Sequence, residues 1–271
     1  MDYFEIVRLR KKAKEVRLMT LEALACVGKG HIGGALSCVD ILVALYYGGI
    51  LRYNAFYPNW QNRDRFILSK GHVAVALYVV LSDVGFFDSN ELRLLNNCAI
   101  LGEHPDINIP GIEINSGSLG HGLGIGCGIA YAAKMDRKTF NIYILLGDGE
   151  CYEGAIWEAA MFAAHHELDN LCVIVDRNML CIHDITENIN RLEPLGDKFK
   201  SFGWCIEIID GHNFDQIIDA TQTTTAKKPK VIIANTVKGK GVSFMENVAS
   251  WHHGGITQDI YEKAKEELVS G

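Results

Sequence analysis

Residues 141 to 180 read "NIYILLGDGECYEGAIWEAAMFAAHHELDNLCVIVDRNML". Two apolar runs, 141–147 and 171–175, each close on an aspartate, Asp148 and Asp176. Between them lies an alanine-rich segment that opens with a Gly-Asp-Gly turn and an acidic pair, Glu150 and Glu153. Apolar runs without polar alternation mark strands covered on both faces, the pattern of a parallel sheet. Residues 154–166 have the length and alanine content of a helix joining two such strands. If the strands are adjacent and parallel, both carboxyl ends emerge on one edge of the sheet, and Asp148 and Asn178, thirty positions apart, become neighbours. The pattern implies an α/β chain with a doubly wound, mostly parallel sheet flanked by helices.

The flanking segments agree. Residues 3–27 carry charged and apolar side chains at helical spacing and stop at "GKGHIGG" (28–34), and a short buried helix is expected over 38–47. "DRFILSKGH" (64–72) is a compact apolar run ending in a turn, and "VAVALYVVLSDVGFF" (73–87) reads as a buried helix because it lacks strand-like alternation. "SGSLGHGLGIGCGIAYAAKM" (116–135) begins glycine-rich and ends alanine-rich, as suits a loop that lets a ligand approach the backbone before a tightly packed helix. Further strands are expected at 204–209 and 230–235, with helices at 214–227 and 257–268. No repeat, low-complexity tract or linker divides the chain, so residues 1–271 are read as one domain.

Composition narrows the class. The chain is 48% hydrophobic and 22% charged, an ordinary globular balance. A formal net charge of -7 gives no general attraction for a nucleic-acid backbone or an anionic membrane. The N-terminal stretch mixes charges into every turn and lacks the apolar core of a signal peptide or membrane span. Eight cysteines are scattered, mostly within apolar runs and without a Cys-x-x-Cys pair. The expectation is a cytoplasmic protein with buried reduced thiols, binding neither nucleic acid nor membrane.

Open α/β sheets bind ligands outside the carboxyl ends of their strands, and the helix after "GDGECYEG" is expected to point its N-terminal N–H groups there. An aspartate oxygen, an asparagine carbonyl oxygen and a backbone carbonyl just beyond are hard ligands. They are too few to cage a cation but suit Mg²⁺ or Ca²⁺ that also holds phosphate oxygens. The residues thus point to a metal-diphosphate site. The competing reading, in which Asp148 caps a helix and Asn178 shapes a turn, stays open at this point.

"GDG" with its closing Asn178 is similar to the thiamine diphosphate motif, and the form "GDGxxxEGxxxEA…LDNLxxxxDxN" resembles that of transketolases. The likeness extends through "GKGHIGG", "LSKGH" (68–72), "GEHPD" (102–106), "SGSLGHGL" (116–123), "KGKG" (238–241) and "WHHGG" (251–255). It implies the thiamine diphosphate-binding fold and a reaction that moves a two-carbon ketol unit from a ketose, or ketose phosphate, to an aldose. By position it implies that Asp148, Asn178 and the Leu180 carbonyl bind the metal, Mg²⁺ or Ca²⁺, and that Gly149 meets the diphosphate through its N–H. Gly117 and Leu119 match positions against the cofactor, and Ile182 an apolar contact to its thiazolium. Glu153 and Glu158 match acids in a carboxylate chain between two active sites across a dimer interface. His31, His72, His104 and one of the tandem pair, taken as His252 rather than His253, match imidazoles around the diphosphate and the reacting carbons. His31 and His104 are read as exchanging protons with substrate hydroxyls. His121 stands where glutamine is often found and Ser118 where proline sometimes is, both beside the cofactor loop.

In full-length transketolases this region is followed by a pyrimidine-binding domain that supplies the acid activating the cofactor. With only a short helix after "WHHGG", the chain is expected to be the N-terminal subunit of a split transketolase. A C-terminal subunit would be its partner, an α₂β₂ heterotetramer the assembly, and a sugar phosphate or related sugar the substrate. The alternatives are another thiamine diphosphate enzyme, such as deoxyxylulose phosphate synthase or the α subunit of a 2-oxo acid dehydrogenase, and a cofactor-binding module without catalysis. "GHIGG" and the "EG" after "GDGECY" argue against the other enzymes. His165, His166, His183 and His212 have no motif support and are read as structural or surface residues.

Overall fold

The computed structural model describes residues 2–95 and 100–270. Its central sheet has five strands: β1 (Arg65–Leu68), β2 (Ile142–Gly147), β3 (Leu171–Arg177), β4 (Cys205–Asp210) and β5 (Lys230–Asn235). Their spatial order is β1-β2-β3-β5-β4, and every pair is parallel. All of β3 and all of β2 except Gly147 are buried, which is why neither run alternates in sequence. Successive side chains still leave opposite faces. Ile142, Ile144 and Leu146, with Leu171, Val173 and Val175, join a core beneath the helices His121–Met135 and Gly154–His165. Tyr143, Leu145, Cys172 and Ile174 join a second core beneath Tyr3–Val27, Val39–Tyr47 and Ala74–Asp83. This is the doubly wound arrangement, with the β2–β3 pair at its centre.

Several boundaries differ from the sequence reading. The helix expected at 38–47 is found at Val39–Tyr47, and an additional helix, Ile32–Ser37, precedes it within a glycine-containing stretch whose residues are all buried. The buried helix starts at Ala74, after a 3₁₀ turn over Gly71–Val73, and ends at Asp83. The helix expected over 214–227 stops at Gln222, where Thr223 turns extended (φ -56°, ψ 121°). Three consecutive threonines, stiff at χ1, do not favour its continuation. Two short pairings have no sequence signature: Lys29–Gly30 runs antiparallel to Gly254–Gly255, and Leu180–Cys181 forms a hairpin with Asp184–Ile185. The first stitches "GKGHIGG" to "WHHGG".

Cys38, Cys127, Cys151 and Cys172 are buried thiols, whereas Cys181 and Cys205 are half-buried and Cys26 is exposed; Cys98 lies outside the described residues. Among the described residues no helix is long and apolar enough to cross a membrane.

Candidate active site

In register, Gly147 of β2 pairs with Asp176 of β3, so Asp148 and Asn178 leave adjacent strands at the same edge. Both are buried and, with Leu180, line a cavity of about 230 Å³. Asp148 Oδ2 accepts from the Met179 N–H (2.7 Å) and from Arg177 Nη1 (3.1 Å), while Oδ1 accepts from the Gly149 N–H (2.7 Å). Asn178 Oδ1 accepts from the Leu180 N–H at 3.2 Å, and the Leu180 carbonyl accepts from Lys238 Nζ at 3.2 Å. Burial and the neighbouring Asp176 push the Asp148 carboxyl above its ordinary range, and the Arg177 guanidinium opposes them. The capping and ligand readings of Asp148 are therefore compatible, since Asp148 Oδ1 and the carbonyl oxygens of Asn178 and Leu180 each hold one donor and keep a lone pair for a cation.

Five charged residues that the sequence reading left without a role complete the site. Lys70, 2% exposed, is ion-paired to the fully buried Asp176, which also accepts from Ser37 and Thr236. Lys238 lies across the cavity, 3.1 Å from His252 Nδ1, and burial together with Lys70 pushes its pKa down to about 8. Arg177, 1% exposed, joins Asp148 to Glu187 (3.2 Å) and Glu193 (2.9 Å). Glu150 is buried and ties three loops together, accepting from Ser69 Oγ (2.5 Å), the Gly120 N–H (2.9 Å) and the Gly147 N–H (3.1 Å). The usable sequence signal was a lysine set between an apolar run and a glycine turn, as in "LSKGH", since an exposed lysine gains nothing from that confinement.

Three predicted imidazoles, His31, His72 and His252, line the cavity, with ring centroids 5.2 to 5.4 Å apart. His253 packs on the outer side of His31 with centroids 4.5 Å apart, so it is His252 that faces the cavity. Burial first, and then neighbouring positive groups, push His31 to about 4, His72 to about 2 and His252 to about 3. All three are neutral near pH 7.

Gly117, Leu119, Gly149 and Ile182 line the same cavity. Gly117 has φ +131°, and a Cβ there would stand 2.6 Å from the ring of His104, so a side chain is excluded by conformation and by space. Ile182 has φ +53°, a left-handed conformation that costs a β-branched residue on the order of 1–3 kcal/mol and marks a held position. His104 is exposed against Gly117 and outside the lining, although it lies close enough to His31 to disfavour its protonation. Glu153 and Glu158 are also exposed and outside the lining. Ser118 Oγ and His121 Nδ1 meet each other at 3.3 Å, away from the cavity. One expectation is corrected. A 3₁₀ turn over Gly149–Tyr152 separates β2 from the helix Gly154–His165, so the turn Gly147–Glu150 lines the cavity and the helix's first residues do not. Of the histidines read as structural, His212 bridges Asp40 (2.6 Å) and the Val237 N–H (2.9 Å).

These residues fit a metal-bound diphosphate. Two lysines confront one cavity, and Lys70, itself paired to Asp176, disfavours the charge on Lys238, a conflict that an anion between them reverses. Asp148, Asn178 and Leu180 offer only oxygen, the donor set of a hard divalent cation. A larger cavity, about 540 Å³, lies at the opposite ends of the strands beside Asn141, Leu171 and Lys230. Its buried lysine is already satisfied by the carbonyls of Ala220 and Thr221.

The histidine shifts carry a stability prediction. A histidine whose folded pKa lies below 6.5 binds protons more readily when unfolded, so its stabilising effect is full above about pH 6.5 and is lost as pH falls toward the folded value. Asp148 and Glu150, raised by burial, work in the opposite direction, so the informative quantity is a difference. His72→Gln is expected to lose less thermal stability than the parent chain on going from pH 7 to pH 5. Parallel Tm curves for the two proteins would show that His72 is not held neutral by the fold.

Residues 9–269 match the family described as transketolase, thiamine diphosphate binding domain. The chain is 43% identical over 267 residues to one of the subunits of the apulose-4-phosphate transketolase of Phocaeicola vulgatus, covering 97% of this chain and 95% of that protein. It is 41% identical over 266 residues to 6-deoxy-6-sulfo-D-fructose transketolase subunit SqwG of a Clostridium species, covering 96% of that protein. Human transketolase is 34% identical over 271 residues, and the crystal structure of Campylobacter jejuni transketolase superposes with a TM-score of 0.91 at 31% identity. The chain spans 43% of each of these two longer proteins.

Proposed function

The chain belongs to the transketolase family, carrying its thiamine diphosphate-binding domain, and from that premise we propose that it is the diphosphate-binding subunit of a two-chain transketolase. The observation that carries the reading is the convergence of Asp148, Asn178, Leu180, Lys70, Lys238 and three neutral imidazoles on one cavity. The whole chain, 1–271, acts as the one cofactor domain and works in the cytoplasm. The partner supplies the pyrimidine-binding half, and two such pairs form an α₂β₂ assembly with Glu153 and Glu158 at the contact between copies. Two relatives matched nearly end to end are named as subunits, which supports the partner. Their names pair the reaction with a phosphorylated and a sulfonated sugar, so a ketose with an anionic terminal group is the substrate class.

Bound thiamine diphosphate supplies a carbanion-forming thiazolium carbon and an electron sink. This chain's own residues serve the diphosphate end and the reacting carbons. Asp148, Asn178 and the Leu180 carbonyl hold Mg²⁺, or Ca²⁺ in its place, while Lys70 and Lys238 balance the diphosphate, with His72 and His252 beside it. Gly117 and Gly149 leave room for the cofactor at the backbone, and Leu119 and Ile182 give it an apolar wall. His31, uncharged near pH 7, accepts a proton from a substrate hydroxyl at its ring nitrogen and returns it. His104, at the rim, does the same for a second hydroxyl.

The test of the function is an assay of the chain with its partner on ketose phosphates and an aldehyde acceptor. Two-carbon transfer is expected; decarboxylation of 2-oxo acids without transfer would replace the reading with the alternative thiamine enzyme. Within the assembled enzyme, His31→Ala and His104→Ala are expected to lower kcat by about 10²–10⁴-fold, the range of general acid–base effects, with little change in cofactor affinity. His72→Ala and His252→Ala are expected to weaken cofactor binding more than turnover at saturation. Equal losses of cofactor affinity in all four variants would remove the division of labour.

A further inference from the structure

At the rim of the cavity, outside the diphosphate end, His31, Glu103 and His253 turn toward one another, and one ligand atom of each lies within 4.8 Å of the other two. Glu103 Oε1 is 3.7 Å from His31 Nδ1 and 3.8 Å from His253 Nε2. These distances exceed a hydrogen bond. His31 Nδ1 is accordingly a buried nitrogen with no hydrogen-bond partner, the kind of atom that calls for an explanation such as a water or an ion. A simple ion pair does not provide one. Burial and the neighbouring cations Lys238 and His253, when protonated, hold His31 neutral, its pKa at about 4 despite Glu103. A neutral imidazole with a free ring nitrogen is instead the form that ligates a metal.

We propose that His31, Glu103 and His253 form a second cation site, separate from the Asp148 site, that takes a borderline transition metal such as Zn²⁺. Two imidazoles and one carboxylate suit Zn²⁺ or Co²⁺ and give Mg²⁺ little, because Mg²⁺ prefers oxygen and water. Tetrahedral Zn²⁺ with bonds of about 2.0–2.1 Å sets its ligand atoms roughly 3.3 Å apart, slightly closer than the separations seen here. Glu103 and His253 are about half exposed and close that difference by rotating, while the more buried His31 stays fixed. Three protein ligands leave one position open toward the cavity. The three residues come from three loops, the "GKGHIGG", "GEHPD" and "WHHGG" segments, so the set exists only once the chain is folded. A consequence, which rests on the proposed role of His31, is that the metal withdraws this imidazole from proton exchange and inhibits turnover, relieved by chelation.

The test begins with the chain alone, without partner or thiamine diphosphate, so that it stands apart from the functional reading. Zn²⁺ is titrated by calorimetry in excess Mg²⁺, which competes for the oxygen ligands of Asp148 and Asn178, and Co²⁺ is followed by its visible spectrum. One Zn²⁺ per chain is expected, with Co²⁺ showing tetrahedral bands and no thiolate charge transfer, which keeps Cys26 and Cys181 out of the site. Glu103→Gln and His253→Ala, both at half-exposed positions that tolerate change, are expected to weaken Zn²⁺ by about 10–100-fold or more, the loss typical of disturbed metal sites, whereas His165→Ala leaves it unchanged. Failure to bind, binding that survives both variants, or a thiolate signature would each overturn the site. In the reconstituted enzyme, Zn²⁺ is expected to inhibit the parent and spare Glu103→Gln relative to its own metal-free rate. If Zn²⁺ binds as expected but no ketol transfer is found, the functional reading falls and the metal site stands.

Discussion

Purified by itself and supplied with Mg²⁺ and thiamine diphosphate, the chain is expected to turn over ketose phosphates at less than about a hundredth of the rate reached with its partner, because loss of one positioned acid–base group alone typically costs 10²–10⁴-fold. The reason lies in what its cavity supplies. The diphosphate end is well furnished, with buried lysines and hard oxygens, but the other end opens onto half-exposed Ile182 and exposed His104. Among the described residues the carboxylates that line this cavity are Asp148, which accepts from Arg177 and two backbone N–H groups, and Glu150, which accepts from Ser69 and two backbone N–H groups; neither is free to serve the cofactor's aminopyrimidine. On the two-chain proposal the acid that serves it comes from the partner, as the family resemblance implies. Because the cofactor is then held by both chains, it should also tighten their association, a linkage readable as a lower dissociation constant by analytical ultracentrifugation when cofactor is added. Steady turnover by the solitary chain, free of copurified protein, would refute the two-chain proposal. An α₂β₂ mass in the same experiment would support closed twofold assembly, and a single αβ pair would remove it.

The second large effect is expected at the oxygen site. Asp148→Ala and Asn178→Ala should each reduce thiamine diphosphate affinity in the assembled enzyme by about 100-fold or more, since even outer partners of metal ligands are typically worth 10–100-fold. The two variants should differ in stability. Asn178→Ala removes one local hydrogen bond to the Leu180 N–H, worth about 0.5–1.5 kcal/mol. Asp148→Ala deprives the buried Arg177 of one of three carboxylate partners, but Glu187 and Glu193 remain to compensate it, so the chain should still fold. Calorimetry showing unchanged cofactor affinity in both folded variants would sink the assignment. Raising Mg²⁺ should recover part of the loss in Asn178→Ala, where the carboxylate persists, and less in Asp148→Ala.

The β2–β3 pair was legible because burial on both faces leaves an unmistakable apolar run, and because a parallel pair with a helical crossover has only one edge on which Asp148 and Asn178 can emerge. Local sequence pattern contains that information in full. The glycine at 117 was reached through the family resemblance, and its positive φ, which no other residue adopts at low cost, became visible only in the structure. Helix ends were less legible, as at Gln222, because termination there depends on a threonine run whose preference is weak against packing.

What the sequence by itself determined about this protein is the doubly wound α/β class, the emergence of Asp148 and Asn178 at one edge of its central strands, and the glycine-rich loops around that edge. What only the tertiary structure decided is how those loops meet. The antiparallel pairing of Lys29–Gly30 with Gly254–Gly255 joins segments more than two hundred positions apart and settles that His252 enters the cavity while His253 turns toward His31 and Glu103. Glycines at three of those four positions give the pairing no side-chain pattern to read. Lys70, Asp176, Arg177 and Glu150 were hidden for a related reason. A charged side chain is tolerated in a core only when its partners arrive from other elements, and those partners are set by through-space distance, which no local spacing records.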